Sequence, residues 1–173
     1  MVTEKPRSAT PETLPILYRD ERLVVVDKPS GLLVHRSPID RHETRFALQL
    51  LRDQLGQRVY TIHRLDKGTS GVLAFGLNPD AAREYSAIFA QRGVVKTYVA
   101  LVRGWPAEEG TIDRPLAAVD DERSGPRPAE PRESRTAFRR IATFELPMRV
   151  DRYPTSRYAL VELTPHTGRR HQL

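Results

Sequence analysis

The sequence predicts an α+β domain, a mixed, largely antiparallel β-sheet with a few flanking helices. Three observations carry that prediction: β-branched and aromatic runs outnumber amphipathic helical ones, hairpin-like neighbours mix with helix-linked ones, and no internal repeat divides the chain. At 173 residues with 39% hydrophobic content, the chain is long enough to bury one core.

Residues 1–13 are polar and Pro-rich, too poor in apolar side chains to offset the entropy of ordering them, and read as a flexible tail ahead of a domain covering 14–173. "ILY" and "LVVVDK" flank Asp20 and Glu21 as a hairpin, and Pro29, Ser30 and Gly31 break the second strand into a loop before "LLVHRS". From Thr44, "TRFALQLLRDQLG" sets Phe46, Leu50 and Leu51 at helical spacing, with Leu55 one turn on and Gly56 where a left-handed cap belongs. Tyr60–Ile62 and Val72–Phe75 are short strands joined by a polar loop. A second helix starts on Asn78 as N-cap, with Pro79 at its first position and Asp80 in its first turn; Tyr85, Ile88 and Phe89 share a face before Gly93. "VVKTYVALV", Val94 to Val102, reads as a well-buried strand leading to Gly104 and Trp105. Residues 117–135, rich in charge and Pro, have no period and read as a surface loop, after which "TAFRRIATFEL" and "RYALVELTP" give two more strands.

Twenty-eight Lys and Arg against twenty-two Asp and Glu leave a net charge of +6, which favours a polyanionic partner such as nucleic acid. The absence of cysteine excludes disulfides and Cys-ligated metal and suits a reducing compartment. The N-terminus has no apolar signal region and nowhere do eighteen apolar residues run together, so the expected location is the cytoplasm, with no membrane span. His35, His42, His63, His166 and His171 form no close ligand pair, which argues against a metal. "GTSGVLAFG" has neither Walker nor dinucleotide spacing, and Ser70 lacks the pattern of a nucleophile elbow.

The chemistry concentrates in "HRLDKGTSG", where Asp66 stands among His63, Arg64 and Lys67. Cations close to a carboxylate favour its ionised form, and an ionised Asp is a competent nucleophile or base. The bland alternative is a salt-bridged turn, but a polar loop between two buried strands is where rigid scaffolds present reactive groups. Two other segments can converge on it. In "VVKTYVA", Lys96 and Tyr98 are two apart and share a strand face, suited to touching a phosphate and stacking on a base; the alternative is a core Tyr beside a solvated Lys. "TPHTGRRHQL" sets Arg169, Arg170 and His171 after a Gly, either a phosphate site on backbone N–H groups or a solvated basic end.

Together these segments resemble the RluA-type pseudouridine synthases. "HRLDKGTSG" is similar to that family's H-R-L-D-x-x-T-S-G motif, and "DKPSGLLVH", "KTYVALVRG" and "TPHTGRRHQL" follow the family's order. Within it, "VHRS", "RDQLGQ", "HRLDKGTSGVL" and "RYPTSRYALVEL" resemble the members that act on uridine 65 of tRNA, and the lack of an S4-like N-terminal domain agrees. The resemblance implies the pseudouridine synthase fold and isomerisation of a uridine within RNA, without cofactor or metal, by a monomer whose partner is RNA, above all tRNA. It makes Asp66 the catalytic carboxylate, attacking C1′ of the ribose or removing a 2′ proton. It makes Tyr98 the residue that packs on the base and takes the C5 proton, and Arg64 the residue that holds the flipped-out RNA. Lys96, Arg169 and Arg170, with His63 and His171, would bind the RNA around it. In the family, an Arg that pairs with the Asp follows "HQL", and further strands and helices complete the sheet; here the chain stops at Leu173. The expectation is a truncated chain, its C-terminal part missing, with low or no activity. The alternatives are a ribosomal RNA-directed enzyme of the same chemistry and, for this chain, a non-catalytic RNA-binding remnant.

Overall fold

In the computed structural model, which describes residues 12–36, 42–117 and 130–173, β1 (Ile16–Arg19) and β2 (Leu23–Lys28) form the hairpin expected from the sequence. Its turn is set by Asp20, whose carboxylate accepts from the backbone N–H groups of Arg22 and Leu23, both at 2.7 Å. The chain divides into two compact units, Met1–Gln91 and Arg92–Leu173.

The first unit carries a four-stranded sheet in the order β1-β2-β4-β3, with β3 (Tyr60–Thr61) and β4 (Gly71–Gly76) antiparallel to each other and β4 antiparallel to β2. On β2 the residues Val24, Val26 and Lys28 point inward and all are fully buried; they face Phe75, Leu73 and Gly71 of β4. Burying β-branched and aromatic side chains at about 25 cal/mol per Å² provides the main drive for this layer. α1 (Ala47–Leu55) starts three residues after the predicted Thr44. Phe46, at its N-cap, offers no capping side chain; the carbonyls of Leu33 and Val34 instead accept from Ala47 N and Leu48 N at 2.8 and 3.0 Å. Its C-cap is Gly56 at φ 64, the left-handed conformation the sequence calls for.

α2 (Pro79–Ala90) begins as the sequence requires, with Asn78 Oδ1 accepting from Ala81 N at 2.8 Å. It ends before Gly93, and Arg92 takes the left-handed conformation, at φ 60. Its buried face differs, since Ala81 and Ala82 are buried while Ile88 stays 37% exposed. The reason is close packing of the first turn on β4: a Cβ on Gly76 would lie 2.8 Å from Ala82 N. That approach needs small residues on both sides, and it turns the larger side chains of the helix toward the rim.

The second unit holds β5 (Tyr98–Arg103), β6 (Glu109–Asp113), β7 (Arg135–Leu146) and β8 (Ser156–Pro165), antiparallel throughout in the order β5-β8-β7-β6. The α+β class therefore holds, with the named strands in two antiparallel sheets. Two expectations are corrected. The predicted buried strand Val94–Val102 starts only at Tyr98, and Val99 and Leu101 are 61% and 63% exposed; β5 is an edge strand with one open face, so its apolar run is not a sign of burial. β6 was not foreseen, because "EGTID" is polar and becomes a strand only through its ladder with β7. The predicted tail and surface loop lie for the most part outside the described residues (1–11 and 118–129). The described flanks of the loop meet in a bridge between Leu116 and Arg132, with N–O distances of 3.0 and 2.9 Å.

Gly76→Ala is expected to lower folding stability by about 1–3 kcal/mol in urea titrations, because backbone cannot yield as a flexible side chain can. Gly68→Ala, with open space around its would-be Cβ, should change stability by less than about 0.5 kcal/mol.

Candidate active site

The loop between β3 and β4 is built around a buried ammonium that the sequence analysis did not single out. Lys28 continues the inward alternation of Val24 and Val26, so the pleat carries its side chain beneath the loop instead of into solvent. There its Nζ donates to the carbonyls of Leu32 (2.7 Å), Pro29 (2.9 Å) and Lys67 (3.4 Å). Burial pushes its pKa down from the ordinary lysine value, and the negative charge of Asp66 acts against that shift. The signal was present in "LVVVDK", where a strand alternation ending on Lys places a cation on the core face.

Around that centre the loop is tied on both flanks. Gly31 N donates to Lys67 O at 2.8 Å, Ser30 Oγ to Gly68 O at 2.7 Å, and Thr69 N to Asp66 O at 3.0 Å. Leu65, before Asp66, is 8% exposed and anchors the loop in the core, while Asp66 itself is half-buried and Arg64 is exposed. Lys67 turns outward to Glu43 at 2.6 Å, an ion pair that holds the Glu43 carboxyl below the usual range. His63 is half-buried: its Nε2 accepts from Ala74 N at 3.1 Å and its ring stacks on Phe89, centroids 4.3 Å apart and planes 10° from parallel. A ring so placed braces the loop against β4 and α2. The side chains of this loop therefore divide, with Leu65 and His63 pointing into the unit and Arg64 and Lys67 to its surface.

In the second unit, Tyr98 opens β5 opposite Leu163, half-buried, and Lys96 stands just before the strand on the same alternation. Lys96 Nζ donates to Thr167 O at 3.4 Å, which joins the "VVKTYVA" and "TPHTGRRHQL" segments to each other. Burial lowers the Lys96 pKa, and the nearby Arg92 lowers it further. Arg169 Nε donates to Glu133 O at 2.9 Å; Arg170 and His171 are exposed, His171 at φ 54. The organiser of this terminal loop is Gln172, another residue the sequence reading passed over. Its Oε1 accepts from Arg169 N (2.9 Å) and Thr167 Oγ1 (2.8 Å), and its Nε2 donates to Thr136 Oγ1 (2.9 Å) and Arg135 O (3.2 Å). No local pattern marks Gln172, because two of its four partners, Arg135 and Thr136, lie on β7, far away in sequence.

Among the described residues, no three His, Asp or Glu side chains gather closely enough to hold a metal ion, and no helix is long and apolar enough to cross a membrane. A shallow cavity of about 460 Å³ opens beside Tyr60, Arg58, Pro79 and Arg83, at the opposite end of β4 from Asp66.

The mutual dependence of Lys28 and Asp66 is measurable by a double-mutant cycle in urea. Lys28→Met should cost about 2–4 kcal/mol, since it strips a donor from three carbonyls. Asp66→Asn should cost about 1 kcal/mol by removing the charge that offsets the burial of Lys28, and the pair should depart from additivity by at least about 0.5 kcal/mol. Strict additivity would contradict the coupling.

The family profile described as RNA pseudouridylate synthase matches residues 22–173. A protein of Pasteurella multocida named tRNA pseudouridine synthase C is 50% identical over 164 residues, covering 93% of this chain and 68% of that protein. A tRNA pseudouridine synthase C of Vibrio parahaemolyticus is 46% identical, covering 94% and 68%. Among solved structures, human RNA pseudouridylate synthase domain containing 1 superposes with a TM-score of 0.71 at 28% identity, over 96% of this chain and 64% of that one. Human RNA pseudouridylate synthase domain containing 4 gives 0.65, also at 28% identity, over 91% and 61%. The chain thus spans about two thirds of the length of the curated relatives it matches. With its order of motifs, its loop around Asp66 and these likenesses together, the chain belongs to the RNA pseudouridylate synthase family.

Proposed function

We propose that the chain acts on RNA as a pseudouridine synthase, converting a uridine of tRNA, the one at position 65, to pseudouridine, with Asp66 as the carboxylate that acts on the ribose. The observation that carries this reading is the half-buried Asp66 in a loop fixed from beneath by the Lys28 ammonium and braced by His63. A carboxylate so held keeps its position without being sealed away from a substrate. The tRNA target is supported by the names of the relatives that are about half identical to this chain.

The isomerisation breaks the N1–C1′ bond of uridine and forms a C5–C1′ bond; C5 gives up its proton and N1 gains one, so no atom enters or leaves the molecule. Asp66 serves either by attacking C1′, as carboxylates do at oxocarbenium-like centres, or by taking the 2′ proton. The target base must leave its stack, at a cost of a few kcal/mol, before the ribose can be reached. Arg64, Lys96, Arg169 and Arg170 are assigned to the phosphates that hold it out, with His171 beside them, and Tyr98 to the face of the base and its C5 proton. His63 contributes to RNA binding through the shape of the loop it supports.

Asp66→Asn should lower pseudouridine formation by at least about a hundredfold while leaving tRNA affinity within about threefold, because it removes a reacting group and not a phosphate contact. Equal loss of binding and turnover would contradict the catalytic role. Chemical mapping of pseudouridine in total RNA from cells with and without the gene should show the loss in tRNA, and a loss confined to ribosomal RNA would overturn the tRNA assignment.

A further inference from the structure

We propose that the tip of the β7–β8 hairpin, with the β5–β6 turn beside it, forms an additional RNA-contacting platform in which exposed arginines meet phosphates and exposed aromatic rings take an unpaired base. The proposal rests on the reading of the chain as an enzyme acting on RNA.

β7 and β8 remain paired to Leu146 and Ser156. Beyond them, a bridge between Val150 and Tyr153, N–O 3.0 and 3.1 Å, closes the tip. Asp151 makes the turn at φ 54 and its carbonyl accepts from Arg149 Nε at 3.0 Å, while Ser156 Oγ donates to Met148 O at 2.8 Å. The tip is thus shaped by its own hydrogen bonds, and it presents Arg149, Arg152 and a Tyr153 that is 51% exposed. The Arg152 guanidinium lies 5.2 Å from the centre of the Tyr153 ring.

Gly104 N donates to Arg157 O at 2.7 Å, which brings the β5–β6 turn against β8. There the Arg157 guanidinium sits 4.3 Å from the centre of the Trp105 ring, and Trp105 Nε1 donates to Phe144 O at 3.2 Å. Glu145 locks the arrangement, accepting from Thr155 Oγ1 at 2.7 Å and Arg157 Nε at 3.1 Å. Trp105 is still 44% exposed.

A face made only for solubility has no use for an exposed Trp and Tyr, each with an arginine beside it. Rings of this kind offer stacking surface to a base, and guanidinium groups are matched to phosphate. Four exposed arginines, Arg103, Arg149, Arg152 and Arg157, stand against three carboxylates of the patch, Glu145, Asp151 and Glu108 of the turn, and Glu108 lies 3.6 Å from a further arginine, Arg140, so the excess charge favours a polyanion over a protein. Along β5 the platform stands five residues from Tyr98, about 17 Å at 3.3–3.4 Å per residue, a span one folded RNA can bridge.

Fluorescence anisotropy of the full chain with labelled tRNA, over a series of salt concentrations, tests this. Arg149→Glu/Arg152→Glu should weaken binding at least about tenfold and lower the salt slope by about 1–2. Trp105→Ala and Tyr153→Ala should each weaken it about fivefold or more with the slope unchanged. Arg52→Glu/Arg83→Glu, two exposed arginines of the first unit, should stay within about twofold of the parent; circular dichroism confirms that each variant folds. If the parent binds and the tip variants bind equally well, this proposal alone falls. Loss of self-association in sedimentation at unchanged RNA affinity would reassign the surface to a contact between chains, and a parent that binds no RNA overturns the functional reading as well.

Discussion

The buried ammonium of Lys28 is the constraint on which the candidate site depends. A lysine carried into a core by strand alternation must have its hydrogen-bonding capacity met, and here the carbonyls that meet it come from the turn after β2 and from the residue next to Asp66. The cost of desolvating the ammonium is thereby converted into position: moving the loop would take the Lys67 carbonyl away from a buried charge and leave it only those of Pro29 and Leu32. The Asp66 charge works in the opposite direction to that cost.

That arrangement explains how a polar loop is held on the sheet. Its apolar residue, Leu65, faces in, its imidazole is spent on a strand amide and a phenyl ring, and its exposed cations are left for the solvent side. The same division recurs in the second unit, where Gln172 ties the terminal loop to β7 and the basic residues beside it, Arg170 and His171, stay exposed. In both places a neutral polar or buried group does the holding and basic side chains lie at the surface, which suits a polyanionic ligand.

Features that depend on near neighbours were legible in the sequence. The Asp20 turn, the Asn78-Pro79 helix start and the Gly56 cap each involve residues within one turn of one another, and each stands where the spacing placed it. Features that depend on distant partners were not. β6 exists because β7 offers it a ladder, α1 is capped by carbonyls from the Leu33 segment, and the Val99 and Leu101 side chains lie on an open face that composition alone reads as buried. The site shows the same split: Asp66 was marked by its loop and by family likeness, whereas the hold of Lys28 on Lys67 and of Gln172 on Arg135 and Thr136 comes from contacts across the fold.

Amide hydrogen exchange by NMR on the Lys28→Met chain tests the central claim most directly. Gly31 N–H and Thr69 N–H, bonded to the carbonyls of Lys67 and Asp66, should lose protection together and by at least about tenfold relative to the parent, while the Val26 and Leu73 amides of the adjoining strands keep theirs. Protection of Gly31 and Thr69 equal to that of the parent would mean that the loop holds its shape without the ammonium, and would contradict the account.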